Sequence, residues 1–401
     1  MKRTINVAIL VASAYSLMTA QVAIKGAVVY TMAGAPIKDG VVLLKDGKVE
    51  RVGPASSFTI PANYKVLSGA VVTPGIVDAH STVGLSGILN IPADQMQLEK
   101  SDAFQPELRA IDAYNPREPL VEFVRNLGIT TLHTGHAPGA LASGTTIVVK
   151  PIGGTVQEAM IDPGMVAFTL GSNVQSTYKN PGTSGKAVAT LRGEFIKAQD
   201  YTKKLFAKDP EKRPSRDLKM ELLSRILAGE VRILYTAQRA TEIMTVLRLQ
   251  KEFGFKLVLD GAAEAYLVLD EIKKAGVPVI LHPTMVRPNG DTRNVSMETA
   301  AMLKAAGIPF ALQSGFEGYV PKTRVVLFEA ALAAANGLSF DDALAAITIN
   351  AARIIGVDNR VGSLEPGKDG DVVVFDGDPF EYTTHVCGVV INGTVVSEKC
   401  H

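Results

Sequence analysis

The chain has six histidines, and their spacing limits the chemistry open to it. His80 ends the apolar run Ile76-Val-Asp-Ala79, so a strand would deliver one imidazole into the polar tip His80-Ser81-Thr82. His133 and His136 form His-x-x-His after Ile129–Leu132. That spacing can chelate one metal ion from a loop, although histidines beside Gly135 and Gly139 serve equally as hydrogen-bonding groups. His282 stands before Pro283 at another strand end, and Asp260 and Glu317 add carboxylates nearby in the same pattern. Lys150 ends the strand Thr145–Lys150. Other nucleophilic machinery is missing from the sequence. There is no Gly-x-Ser-x-Gly elbow and no Walker loop. Gly182-Thr-Ser-Gly185 lies in a long loop without the strand-loop-helix setting of a phosphate cradle.

The elements that would position these groups alternate. Helical patterns at 119–127, 188–206, 215–228, 241–253, 264–275, 297–306 and 324–336 interleave with strand patterns at 128–132, 143–150, 231–236, 256–260, 277–281 and 308–312. This is the beat of βα units, with Gly128, Gly254, Gly276 and Gly307 as helix stops before strands. Residues 85–118 and 151–187 are long irregular insertions, of the kind that form lids or functional loops. Both chain ends have a different texture, with short alternating runs and an Asp46-Gly47 turn that predicts a hairpin over Val41–Val52. Neither end has enough strands for a stable sheet, so the two are expected to join. His385, His401 and Cys387 belong to that region, away from the other candidates.

At 401 residues the chain can bury one large core and a small one. Lysines and arginines number 41 against 40 acidic residues, which leaves no global charge for nucleic acid or an anionic membrane. Met1-Lys2-Arg3, a short apolar core at Val7–Ala14 and small residues up to Ala20 read as a secretory signal cleaved near Ala20. The expected address is periplasmic or secreted, with no membrane span in the mature form. Cys387 and Cys400, the only cysteines, would then pair as a disulfide or remain two thiols.

The stretch Pro74-Gly-Ile-Val-Asp-Ala-His-Ser-Thr82 resembles the barrel-opening motif Pro-Gly-hydrophobic-hydrophobic-Asp-Ala-His-x-His of the amidohydrolase superfamily. Gly337–Gly356 and Arg360–Phe375 resemble its closing signature, and the likeness is to imidazolonepropionase-like members over residues 22–397. It implies an α/β fold: a (β/α)₈ TIM-like barrel at 71–363 and a small β-sandwich from 21–70 and 364–401. It also implies a metal centre. The family binds metal through two histidines after strand one, often a carboxylated lysine, histidines after strands five and six, and an aspartate after strand eight.

Set against that motif, His80 matches and Lys150 is the candidate lysine. Thr82, Thr236, Gly261 and Gly315 stand where three histidines and the aspartate would be. A hydroxyl is a poor zinc ligand beside imidazole and glycine offers no side chain, so no binuclear centre is expected. At most one weakly held divalent ion, zinc first, would sit near His80, with His133, His136, Lys150 or Glu317 as neighbours. Without a metal, Gln238, Arg239, Asp260 and Tyr319 would line a hydrogen-bonding pocket for a small-molecule substrate or ligand. The resemblance implies a hydrolase of carbon–nitrogen bonds. The lost ligands imply instead a non-catalytic paralogue that binds a ligand, or that assembles as a homo-oligomer or with an active amidohydrolase.

Overall fold

The computed structural model of the chain describes residues 21–89, 91–282, 288–315 and 326–401. The expected signal segment, Glu317 and Tyr319 lie outside the described residues. The strands in chain order are β1 (Val22–Val29), β2 (Ile37–Lys45), β3 (Lys48–Pro54), β4 (Lys65–Pro74), β5 (Ile76–Ser81), β6 (Ile129–Thr134), β7 (Ala142–Thr145), β8 (Ile147–Val149) and β9 (Met160–Asp162). They continue with β10 (Val166–Thr169), β11 (Ile233–Ala237), β12 (Leu257–Gly261), β13 (Val279–Leu281), β14 (Phe310–Leu312), β15 (Val372–Phe375), β16 (Val386–Ile391) and β17 (Thr394–Ser397).

The two chain ends do meet. They form one seven-stranded sheet in the order β17-β16-β15-β4-β1-β2-β3. The seam is antiparallel between β15 and β4, with Val373 opposite Thr73, so the sheet extends past the expected boundary at residue 70. The hairpin turns at Asp46-Gly47, both left-handed (φ 52° and 80°), as a tight two-residue turn requires. Cys387 and Cys400 are joined by a disulfide.

Between the ends, β10 to β14 run parallel in one sheet with β7 at its edge, and β5-β6-β8-β9 form another. Ser81 bridges Gly315, which brings β5 beside the exit of β14. The strand pairs in the parallel region are separated by helices, as the hydrophobic periods predict. Inward-facing residues from successive strands stack as one apolar cluster of Val77, Ala79, Leu234, Val258, Ile280 and Ala311. The next inward position along each strand is polar, and that step is where the candidate site begins.

The sequence expectation of one strand over 143–150 needs correction. It is two strands, β7 and β8, and both run antiparallel to their neighbours β10 and β6. The insertion 85–118 is not loose: Gln105 and Thr145 amides donate to the carbonyls of Ala142 and Leu108 (2.9 and 2.8 Å), docking it along β7. Among the described residues no helix is long and apolar enough to cross a membrane.

Candidate functional site

Four strand ends meet on one carboxylate. Asp260, near the end of β12, is 1% exposed. Its Oδ1 pairs with His80 Nδ1 (2.9 Å) and accepts from Gln313 Nε2 (2.6 Å), while Oδ2 accepts from the Thr236 hydroxyl (2.5 Å). These partners come from β5, the segment after β14, and β11. Thr236, Asp260 and Gln313 sit two residues beyond Leu234, Val258 and Ala311 of the apolar stack, because side chains on a strand return to the same face every second residue, whereas His80 reaches them from the irregular end of β5. Asp78, also buried, receives the Ser314 amide (3.0 Å), the Ser314 hydroxyl and the His80 amide (3.4 Å), which fixes the chain on both sides of the network.

The electrostatics follow from burial and pairing. Burial opposes a charge on His80, but the Asp260 carboxylate, through charge and hydrogen bond, outweighs it and raises the imidazole pKa. Burial likewise opposes the charge on Asp260, but His80, Thr236 and Gln313 overcome it and lower that pKa. The pair is therefore an internal imidazolium–carboxylate contact, with each charge offsetting the other's desolvation. Asp78 has no such partner at its carboxylate, and burial pushes it up to about 6 against the Ser314 hydrogen bonds. His80 Nε2 is buried without a well-aligned hydrogen-bond partner, and the His136 backbone near the ring adds to the rise in its pKa.

The other predicted residues divide. His133 is fully buried and both its nitrogens are engaged, Nδ1 with the Ala79 carbonyl (2.7 Å) and Nε2 with the Thr146 hydroxyl (2.6 Å). Burial and the nearby His80 charge drive its pKa down to about 3, so the ring is neutral: Nδ1–H donates and Nε2 accepts. His136 is 5% exposed, its Nε2 has no partner, and burial lowers its pKa to about 4. Thr82 is buried and its hydroxyl accepts from Ser86 Oγ (3.0 Å). Gln238 accepts the Ala263 amide through Oε1 (3.2 Å), and Arg239 is half-buried at the head of the helix Ala240–Phe253.

Lys150 is the clearest correction. Because β8 runs antiparallel to β6, with Val149 opposite Leu132, the chain leaves β8 heading towards the start of β6, away from His80. Lys150 Nζ there contacts Asp369 (2.7 Å), Asp371 (2.8 and 2.9 Å) and Asn392 (2.5 Å), all in the composite-sheet region. It is a buried tie between strand and sheet, and not a neighbour of His80. His133, with no free nitrogen, is not an available metal neighbour either.

The two glycines at ligand positions are more than missing side chains. Gly261 has φ +75°, and a Cβ there would lie 2.4 Å from Gln238 Nε2. Gly315 has φ +66°, and a Cβ would lie 2.7 Å from His282 Nε2. The backbone at both places has taken a conformation that favours glycine, and neighbouring side chains occupy the space. Gln313 escaped the sequence reading, although it lies two residues before Gly315 on the same face; counting back by two from the expected ligand would have found it.

Comparison with known proteins agrees with the motif. The amidohydrolase family model matches residues 245–396. An amidohydrolase from Thermotoga maritima superposes with a TM-score of 0.88 at 30% identity, covering 94% of this chain and all of that one. The chain belongs to the amidohydrolase family. Within it the chain is imidazolonepropionase-like: it is 24% identical to an imidazolonepropionase of Rhizorhabdus wittichii, over 86% of this chain and 91% of the relative. It is also 24% identical to the amidohydrolase tasK of Hapsidospora irregularis, over 88% of this chain, but spans only 39% of tasK. A Xanthomonas campestris adenosine deaminase with bound zinc shares the fold at TM-score 0.55 and 15% identity. These neighbours give the chain a TIM-barrel-type fold of mixed helices and sheets.

Among the described residues, the buried imidazole nitrogens without a well-aligned hydrogen-bond partner are His80 Nε2, His136 Nε2 and His282 Nδ1. A structural or catalytic zinc needs three or four converging N, O or S ligands with free lone pairs. The Asp260 oxygens already serve three donors, His133 is spent on the protein, and Gly261 and Gly315 contribute nothing. Among the described residues no group of three or more His, Cys, Asp or Glu could hold a metal ion.

Proposed function

We propose that this chain is a non-hydrolytic member of the amidohydrolase family that binds a small polar ligand at the C-terminal ends of its strands. The single observation carrying this reading is Asp260, whose two oxygens already meet three side-chain donors from the protein. Where the family places cations, His80 supplies a positive charge from within the protein, and Thr236 and Gln313 fill the remaining hydrogen bonds. Above the network, Gln238, Arg239 and His282 are only partly buried and offer polar groups to a ligand. Two features favour the wider architecture: the Ser81–Gly315 bridge suits closure as a (β/α)₈ barrel, and the seven-stranded sheet suits the composite sandwich. The Cys387–Cys400 disulfide, together with the N-terminal sequence, supports export to an oxidising compartment.

The test is metal analysis of the purified full chain, together with hydrolysis assays on cyclic amides and aminated heterocycles. Substoichiometric zinc, manganese and iron with no turnover is the expected result. In a parallel thermal-shift screen of small carboxylates, amides and heterocycles, a genuine ligand should stabilise the wild type but not Gln238→Ala or Arg239→Ala. Two tightly held ions per chain, with activity lost on chelation, would overturn the proposal. A second reading, hydrolysis of a C–N bond with one divalent ion, draws on the unpartnered Nε2 atoms of His80 and His136. Relatives named imidazolonepropionase and deaminase act on such bonds. One stoichiometric ion, lost in both His80→Ala and His136→Ala, would favour it.

A further inference from the structure

The charged connector between two helices, unused by the strand-end site, has the make-up of a membrane-surface contact. The helix Ser184–Leu205 packs antiparallel on Leu218–Leu227: Thr202 Oγ1 donates to Ser224 Oγ (2.7 Å) and the Asp217 amide donates to Tyr201 Oη (3.4 Å). The end of the first helix and the start of the second therefore form one tip. Residues 203–219 carry seven lysines and arginines against Asp209, Glu211 and Asp217, a surplus of four in a chain that is otherwise nearly balanced.

Several of these cations are held. Arg216 pairs with Glu221, Lys203 with Asp200 and Lys212 with Asp209, all exposed pairs of little energetic weight. Lys219 turns away to the Phe104 carbonyl (3.0 Å) and ring. Lys204 and Lys208 have no ion pair among the described residues, and Arg213 meets only the Ala207 carbonyl (3.0 Å). Beside them Phe206 is 82% exposed and Leu218 62% exposed, both large apolar side chains standing out of the surface.

We propose that this helix-hairpin tip docks on an anionic phospholipid surface, with Phe206 and Leu218 entering the headgroup boundary and Lys204, Lys208 and Arg213 meeting the phosphates. Charge complementarity selects an anionic partner. The apolar pair selects a lipid surface over an acidic protein segment, which would satisfy the charges but leave Phe206 and Leu218 in water. A soluble anion is a poorer occupant. The nearby depression of about 810 Å³ is lined by Glu107, Glu194 and Asp200 as well as Lys197 and Lys204, so it offers no field of one sign.

The test is co-sedimentation of the full chain with phosphatidylcholine vesicles, with and without phosphatidylglycerol, across a salt series. All variants carry the same N-terminus, so any contribution from residues 1–20 cancels in the comparison. Binding should need phosphatidylglycerol and weaken with salt. Each basic side chain near the surface strengthens partition about fivefold, so the triple variant Lys204→Ala, Lys208→Ala, Arg213→Ala should bind on the order of a hundredfold more weakly. Phe206→Ala should lose about tenfold at every salt concentration, since its term is apolar. Circular dichroism and thermal melting confirm that the variants fold. Absence of wild-type binding, or equal binding by the triple variant, would overturn the proposal. So would retention on polyglutamate that is indifferent to Phe206→Ala with no vesicle binding, which would assign the tip to an acidic protein instead.

Discussion

Replacing Lys150 by methionine separates its structural role from a metal-binding one. Lys150 is 1% exposed and faces Asp369 and Asp371, themselves 3% exposed. The two carboxylates are not equivalent. Asp369 also receives Lys48 (2.5 Å) and Arg360 (2.8 Å); Lys150 first, then these two cations, outweigh its burial and hold its pKa at about 2. Among the described residues Asp371 has Lys150 as its one cation, and burial, the larger effect, leaves its pKa raised. Methionine fills the volume of the lysine stem but removes the ammonium, so Asp371 is left as a buried charge with only the Asn392 amide (2.9 Å). Breaking a buried pair from one side costs about 3–5 kcal/mol. Urea melts at pH 7 should show that loss with an unchanged slope.

The pH dependence carries a sign. The folded pKa of Asp369 lies below its unfolded value of 3.8, so it contributes about 2 kcal/mol above pH 4, lost as pH falls towards 2. In the variant Asp371 is pushed further up, and a raised carboxylate pKa costs stability as pH rises. The deficit of Lys150→Met should therefore shrink between pH 7 and pH 4. Adding Asp371→Asn should recover much of the loss at pH 7, because it removes the stranded charge and keeps an acceptor for Asn392. A deficit below about 1 kcal/mol with a change in bound metal would refute the reasoning and return Lys150 to the metal site.

Restoring the family residues at Gly261→His or Gly315→Asp should destabilise the fold rather than rebuild a metal centre. The left-handed backbone alone costs a non-glycine residue about 1–3 kcal/mol, before the overlaps with Gln238 and His282 are counted; thermal melts and metal analysis check both. Asp78→Asn should flatten the pH profile: the wild-type carboxyl, raised to about 6, costs stability as pH climbs from 4 through 6. The variant should gain up to about 3 kcal/mol relative to wild type across that interval in denaturant melts. Cys400→Ser opens a loop with a sequence separation of 13 and should cost about 2–3 kcal/mol, with β17 losing amide-exchange protection first.

The fold was legible because its signals are local and periodic. Gly254, Gly276 and Gly307 close helices in the left-handed conformation where the sequence placed helix stops, and the Asp46-Gly47 hairpin turned as read. The failures share a different cause. Strand direction is not written in residue pattern, so Thr145–Lys150 looked like a parallel strand delivering Lys150 to the site. In fact the break at Thr146, whose hydroxyl meets His133 and the Met165 backbone, reverses the assignment. The Asp260 network was half visible: His80, Thr236 and Asp260 were singled out, but as a lost metal site with a bystander carboxylate.

What the sequence could not supply was the identity of the compensating charge. Removing cations from a family site leaves buried carboxylates that must be neutralised, protonated or paired. This chain uses two of these routes within a few residues. Asp260 keeps its charge because His80 turns Nδ1 towards it, and Asp78, two residues from His80 but bonded to Ser314, is pushed towards protonation. On the proposed reading, the same imidazole that would ligate metal is what lets the pocket do without one. Substituting His80 by glutamine tests that dependence. Glutamine can hydrogen-bond Asp260 but cannot carry the charge, so the Asp260 pKa should rise. Stability should then fall more steeply with increasing pH than in the wild type, whose own slope between pH 4 and 6 comes from Asp78. A pH profile in His80→Gln that parallels the wild type would mean that Thr236 and Gln313 alone sustain the Asp260 charge.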